Sequence, residues 1–133
     1  MDLVVDASVI VAVLTSEPER AAIVKVTKDA NLLAPTSVHW EVGNALSAMI
    51  KRRRLTLGQA KDAIKSYAQI PIRFVEVDLA ESLEMAASQN LYAYDAYLLA
   101  CAVSQRTALI SLDKALLRAA KAYQIETIEV IEP

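Results

Sequence analysis

Glycine is nearly absent. Gly43 and Gly58 are the only two in 133 residues, which leaves no glycine-rich phosphate loop and no dinucleotide fingerprint, because both need closely spaced glycines to bring backbone against a phosphate. Cysteine is represented by Cys101 alone, so an internal disulfide framework is excluded and a Cys-based zinc cage cannot be completed. Its apolar neighbours predict a buried, inert thiol. His39 is the sole histidine; standing two residues before Glu41, it faces a different side of a helix and reads as structural rather than as a general base. Aromatic residues make up 5% of the chain, so most of Trp40, Tyr67, Tyr92, Tyr94 and Tyr97 are expected to pack rather than stack on nucleic-acid bases, with Tyr94 the exception and a candidate RNA contact because it adjoins Asp95. No apolar run approaches the roughly 20 residues of a membrane span. Met1 leads directly into an apolar run without a basic, leader-like region, which predicts a cytoplasmic protein without membrane attachment.

What is present suits one domain spanning 1–133, with 55% hydrophobic and 23% charged residues and a core of ordinary size. The formal charge of −2 comes from 16 acidic and 14 basic residues. If four acids line one cleft, 12 remain outside it against those 14, so the outer surface is mildly positive and net charge does not exclude a polyanionic partner.

Leu3 to Val9 organises the chain. A short β-branched run that stops at Asp6 reads as a buried parallel strand delivering a carboxylate to the carboxyl edge of a sheet, where open α/β folds place their ligands. Ser8 is positioned to hydrogen-bond that carboxylate, although an Asp here could equally cap the next helix. Ser8 to Leu14 then predicts a helix, and Ser16 with Pro18 and Glu19 predicts the cap and first turn of another running to Lys28. Asn31 to Ala34 predicts a second strand. Ser37 opens a helix that ends in the basic run Lys51 to Arg54, and Thr56 with Gln59 has capping-box spacing for a helix from Leu57 to Gln69.

Ile72 to Val77 alternates as a strand does, and Asp78 with Glu81 repeats the capping spacing before a helix ending near Asn90. Helices are predicted over Ala93 to Arg106 and Lys114 to Tyr123, and strands over Ala108 to Leu112 and Thr127 to Ile131. Strands alternating with helices, with a helical pair inserted after the second strand, predict an α/β fold with a mostly parallel sheet.

Four carboxylates occupy places that secondary structure does not require. Asp6 and Asp113 each follow an apolar strand, whereas Glu41 and Asp95 lie early in helices, where the dipole mildly favours them. If the four converge at ~4 Å and an effective dielectric near 20, each like-charged pair costs about 4 kcal/mol, which protonation or a divalent cation must relieve. All-oxygen ligands suit Mg²⁺ or Mn²⁺, the usual equipment of phosphodiester cleavage. The same repulsion predicts that Asp6→Asn or Asp95→Asn raises metal-free stability.

Val4-Val5-Asp6-Ala7-Ser8, Trp40-Glu41-Val42-Gly43-Asn44-Ala45-Leu46, Tyr94-Asp95-Ala96-Tyr97-Leu98-Leu99-Ala100 and Leu109-Ile110-Ser111-Leu112-Asp113-Lys114 resemble, in order and spacing, the signature segments of PIN-domain ribonucleases. The likeness extends over essentially the whole chain and is nearest to the VapC toxins of bacterial and archaeal toxin–antitoxin pairs. It implies a PIN-like α/β/α sandwich, Mg²⁺- or Mn²⁺-dependent endonucleolytic cleavage of RNA, a homodimer, inhibition by a VapB-like antitoxin, and contact with DNA only through that antitoxin. On this resemblance Asp6, Glu41, Asp95 and Asp113 are the catalytic and metal-binding acids, with Ser8, Ser111 and Asn44 supporting them. The chain departs from the pattern after Asp113, where Lys114, Ala115 and Leu116 stand in place of the further acid that many PIN domains carry. That departure implies a weakly held second metal, or a single-metal site.

Lys51, Arg52, Arg53 and Arg54 could grip an RNA backbone without reading its sequence. They equally suit the negative end of a helix on a solvated surface. Two other classes compete with the nuclease. One is a catalytically inactive PIN-fold module with a binding or regulatory role. The other is a phosphotransfer fold with Asp at its strand ends; it fits poorly, because an aspartyl phosphatase wants a second acid where Ser8 stands and a receiver domain wants paired acids near Asp6.

Overall fold

Leu3, Val4 and Val5 are almost completely enclosed, and they form the inner part of β1 (Asp2–Val5), the middle strand of a five-stranded sheet in the computed structural model, which describes residues 1–130. The other strands are β2 (Asn31–Pro35), β3 (Ile72–Val75), β4 (Ala108–Ile110) and β5 (Thr127–Ile128), and the order across the sheet is β3-β2-β1-β4-β5. Every neighbouring pair is parallel, so the sheet is wholly rather than mostly parallel. Burial grades outward as expected for such a sheet: β4 is fully buried, while the edge strands β3 and β5 contain no fully buried residue. The last strand stops at Ile128 rather than running on, and Ile131 lies outside the described residues.

Seven helices fill the crossovers: α1 (Ala7–Leu14), α2 (Arg20–Thr27), α3 (Ser37–Lys51), α4 (Leu57–Ala68), α5 (Leu79–Gln89), α6 (Ala93–Gln105) and α7 (Lys114–Ala122). The chain moves one way from β1 to β3 and then reverses, so right-handed crossovers assign α1 to α4 to one face and α5 to α7 to the other. Packing agrees, with α1 against α2, α3 and α4, and α6 against α5, β1 and β2. The core joins both faces. It runs through Val9 and Ile10 of α1, Val38, Val42 and Leu46 at successive turns of α3, and Leu98 and Leu99 of α6. Among the described residues no helix is long and apolar enough to cross a membrane.

Local capping holds where the spacing predicts it. Thr56 and Gln59 form the reciprocal box at the start of α4, and Asp78 accepts from the Glu81 amide at the start of α5. Ser16 does not behave as predicted. Its φ is 55°, and the Ser16 amide donates to the Val13 carbonyl while that of Glu17 donates to Ala12. This is a Schellman ending for α1, so Ser16 closes the first helix instead of opening the second, which begins at Arg20 after the Pro18–Glu19 turn.

Candidate active site

The strand order reverses beside β1, with β2 on one side and β4 on the other, and the carboxyl ends of these central strands border the crevice where doubly wound sheets bind ligands. Asp6 leaves β1 at this point and Asp113 follows β4. Two serines tie the strand ends together. Ser8 Oγ donates to Asp6 Oδ1 at 2.6 Å and accepts from the Leu112 amide at 3.3 Å. Ser111 Oγ donates to Asp6 Oδ2 at 2.5 Å and accepts from the Asp113 amide at 2.9 Å. The Val9 amide adds a third donor to Asp6 at 3.2 Å, making Asp6 the N-cap of α1 as well. Asp113 likewise caps α7, accepting from the Ala115 and Leu116 amides through Oδ1. Capping and a role in chemistry are therefore not alternatives at these positions, because each carboxylate has two oxygens and only part of their capacity is used by the cap.

Glu41, on the second turn of α3, and Asp95, in the first turn of α6, bring their carboxylates toward the same edge. Burial pushes the Asp6 carboxyl above its ordinary range; the Ser111 and Ser8 hydroxyls and the Val9 amide oppose the rise, and the Asp113 charge adds to it. Glu41 is pushed up to about 7, first by burial and then by the charges of Asp6 and Asp95. Asp95 is raised by burial and by Asp113 and Asp6. These pairwise repulsions link all four acids into one electrostatic group. Glu41 is the least satisfied: its Oε1 is buried with no hydrogen-bond partner, and the Ser37 hydroxyl one turn earlier, which opposes the rise only weakly, is itself unpartnered. No basic side chain neutralises the group, since among the described residues the one ion pair joins Arg54 to Glu17.

Clustered, uncompensated carboxyl oxygens with an orphaned one among them are the donor set a hard divalent cation requires. Hydroxyls that donate to Asp6 favour its ionised, ligating form. The four do not amount to a ready-made cage, however: among the described residues no three His, Cys, Asp or Glu side chains are grouped tightly enough to hold an ion without adjustment or bridging water.

Beside the acids opens a cleft of about 550 Å³ lined by Ala7, Ser8, Trp40, Glu41, Asn44, Ala45 and Tyr94. Asn44 thus faces the same space as Glu41, one turn along α3. Trp40 and Tyr94 are 73% and 57% exposed at its rim. Tyr94 was the aromatic singled out by sequence. Trp40 was not, and packing does not account for it, nor for the exposed Tyr92; Tyr67, by contrast, is buried. The missed signal was adjacency, since Trp40 precedes Glu41 as Tyr94 precedes Asp95, and Trp40 shares a helix face with Asn44. The basic run is placed elsewhere. Arg52 follows Glu41 by eleven residues of helix and cap, or about 16 Å along the axis at 1.5 Å per residue, and Arg54 is engaged by Glu17 at 3.1 Å. Lys51, Arg52, Arg53 and Arg54 are all exposed and do not border the cleft. His39 is held outside the acid group, its Nδ1 3.0 Å from the Tyr67 hydroxyl.

A wholly parallel, doubly wound sheet with acidic side chains gathered at its switch point defines the architectural class of this α/β protein. The family follows from the chain itself: the PIN-domain model matches residues 3–122, and the protein belongs to the PIN domain family, whose members are generally nucleases. Several solved structures share the fold, two of which illustrate it. One is the crystal structure of PAE2754 from Pyrobaculum aerophilum, 24% identical, with a TM-score of 0.72 over 96% of this chain and 83% of that one. The other is VapBC2 from Rickettsia felis bound to a DNA fragment from their promoter, 9% identical, with a TM-score of 0.66 over 96% of this chain and 98% of that one. No curated protein sequence matches significantly.

Proposed function

We propose that the protein is a metal-dependent endoribonuclease and the toxin of a VapBC-type pair. The observation that carries this reading is the mutual repulsion of Asp6, Glu41, Asp95 and Asp113 around an unpartnered Glu41 oxygen, beside an open cleft and without a basic counter-ion among the described residues. Asp6, Glu41, Asp95 and Asp113 would hold Mg²⁺ or Mn²⁺ directly or through water. When bound, such an ion supplies an activated water and neutralises charge developing on a phosphodiester. Ser8 and Ser111 favour the ionised form of Asp6 against the effect of burial and fix the direction of its oxygens through the paired relays to the β4–α7 turn. Asn44 offers an amide to a phosphate or ribose oxygen in the cleft.

The VapBC2 structure, a complex bound to promoter DNA, supports an antitoxin as partner; the family resemblance adds a homodimer and contact with DNA only through that antitoxin, and a cytoplasmic setting completes the reading. The test is incubation of mixed RNA with Mg²⁺, Mn²⁺ or EDTA, comparing the native chain with Asp95→Asn. Cleavage that needs both the metal and Asp95 is expected; no cleavage with either metal would refute the reading. The absence of a preformed three-ligand group among the described residues favours one alternative, a non-catalytic PIN module, and the same experiment separates the two.

A further inference from the structure

Trp40 stands where two depressions meet. It lines the cleft that holds Ser8, Glu41, Asn44 and Tyr94, and it also lines a second depression of about 340 Å³ with Thr36, Ser37, Glu76 and Tyr97. An indole that is 73% exposed on a helix would ordinarily lie loose, yet this one is braced. The His39 ring meets it edge-on at 4.8 Å between centroids. His39 in turn lies 3.0 Å from the Tyr67 hydroxyl and edge-on to Phe74 at 5.9 Å. Across the cleft, Tyr94 is propped edge-on by Tyr97 at 5.9 Å. Two exposed aromatic rings from α3 and α6, each with a ring behind it, therefore flank the acidic group.

We propose that Trp40 and Tyr94 stack on unpaired bases of the RNA beside the scissile phosphate, and that His39 and Tyr67 are positioning residues that hold the indole for this purpose. This rests on the ribonuclease reading for the identity of the ligand. The chemistry favours bases over another occupant because the aromatic walls adjoin carboxylates suited to a metal-bound phosphate, so a phosphate at the acids carries its neighbouring bases onto the rings. Stacking is tolerant of sequence, because every base presents a π-face, and it requires the base to be free of a duplex. The arrangement also gives the sole histidine a task that needs no proton transfer.

Trp40 is the only tryptophan, so its emission reports directly on the proposed contact. The protein is titrated with a single-stranded RNA oligonucleotide in Ca²⁺, and binding is followed in parallel by polarisation of a labelled strand. Quenching of Trp40 by the single strand but not by a duplex of the same sequence is expected. Stacking contributes about 1–3 kcal/mol per base, so Trp40→Leu or Tyr94→Leu should weaken single-strand binding by roughly 5- to 150-fold at 1.4 kcal/mol per tenfold. Tyr67→Phe should reduce the quenching amplitude and raise KM while leaving kcat nearly unchanged. RNA binding with unaltered emission, equal affinity for duplex, or an unaffected Trp40→Leu variant would overturn the proposal. Emission that changes with protein concentration and not with RNA would place Trp40 in a contact between copies and overturn it likewise. The two readings fail separately: cleavage without quenching removes the stacking role alone, and quenching without cleavage removes the nuclease alone.

Discussion

Replacing Glu41 by Gln should make the metal-free protein more stable. The carboxyl is pushed from 4.5 to about 7 by burial and by the Asp6 and Asp95 charges, and each pH unit of such a rise costs the charged folded state about 1.4 kcal/mol, giving a ceiling of about 3 kcal/mol. Glu41 is only half-buried, and solvent screening brings the expected gain to about 1–2 kcal/mol. The sign follows from proton binding. Between pH 4.5 and about 7 the folded form holds a proton on Glu41 that the unfolded chain has released, so this residue's contribution to stability falls as pH rises through that window and is level above it. Thermal melts in EDTA, followed by circular dichroism, should coincide for the two proteins near pH 4. At pH 8 the Gln variant should melt higher by roughly 3–8 °C for a domain of this size. Mg²⁺ should then raise the native protein more than the variant, because ligand binding to the folded form adds stability. A Gln variant that melts at or below the native protein at pH 8, or a difference that does not grow with pH, would show that the acids do not repel as the geometry implies.

Asp95→Asn should stabilise in the same direction, whereas Asp6→Asn should melt lower, contrary to what charge alone predicts. An amide there leaves a Ser8 or Ser111 hydroxyl facing a donor, and a lost bond to a buried charged group costs about 1.5–3 kcal/mol; urea melts of the two variants decide this. Ser111→Ala should destabilise by a similar amount and reduce RNA cleavage, since it cuts the relay from the Asp113 amide to Asp6. Unchanged cleavage would show the relay to be idle. Cys101 is buried and its thiol is pushed up to about 11, so it should resist a thiol reagent until the protein is unfolded; rapid labelling of the native chain would refute that placement. Calorimetric titration of the free protein should detect no more than one tightly bound Mn²⁺, because Lys114, Ala115 and Leu116 add no further acid after Asp113, and two tight ions would reject the single-site reading.

Much of this architecture was readable without coordinates because the signals are local. Thr56 with Gln59 and Asp78 with Glu81 are capping pairs three residues apart, and the bonds they form need nothing beyond one helical turn. Short apolar runs ending in Asp6 and near Asp113 announced strands whose edges carry acids, and the four-part acidic pattern was legible as a pattern. Ser16 was misread because Ser serves either end of a helix, and only the paired Ser16 and Glu17 amide bonds back into α1 distinguish them.

Tertiary structure alone decided which pieces meet. The order β3-β2-β1-β4-β5 makes β1 and β4 neighbours, and from that follow the two serine relays, one of which spans 105 positions of sequence. It also decided that Trp40 stands exposed at the cleft while Tyr67 is buried against His39, and that the run Lys51 to Arg54 is carried a helix length away from Glu41. The residue types, their helices and their strands were set by contacts within a few positions. Strand adjacency and side-chain exposure depend on how the two helical layers pack over the sheet, a property of the whole chain that no short segment encodes.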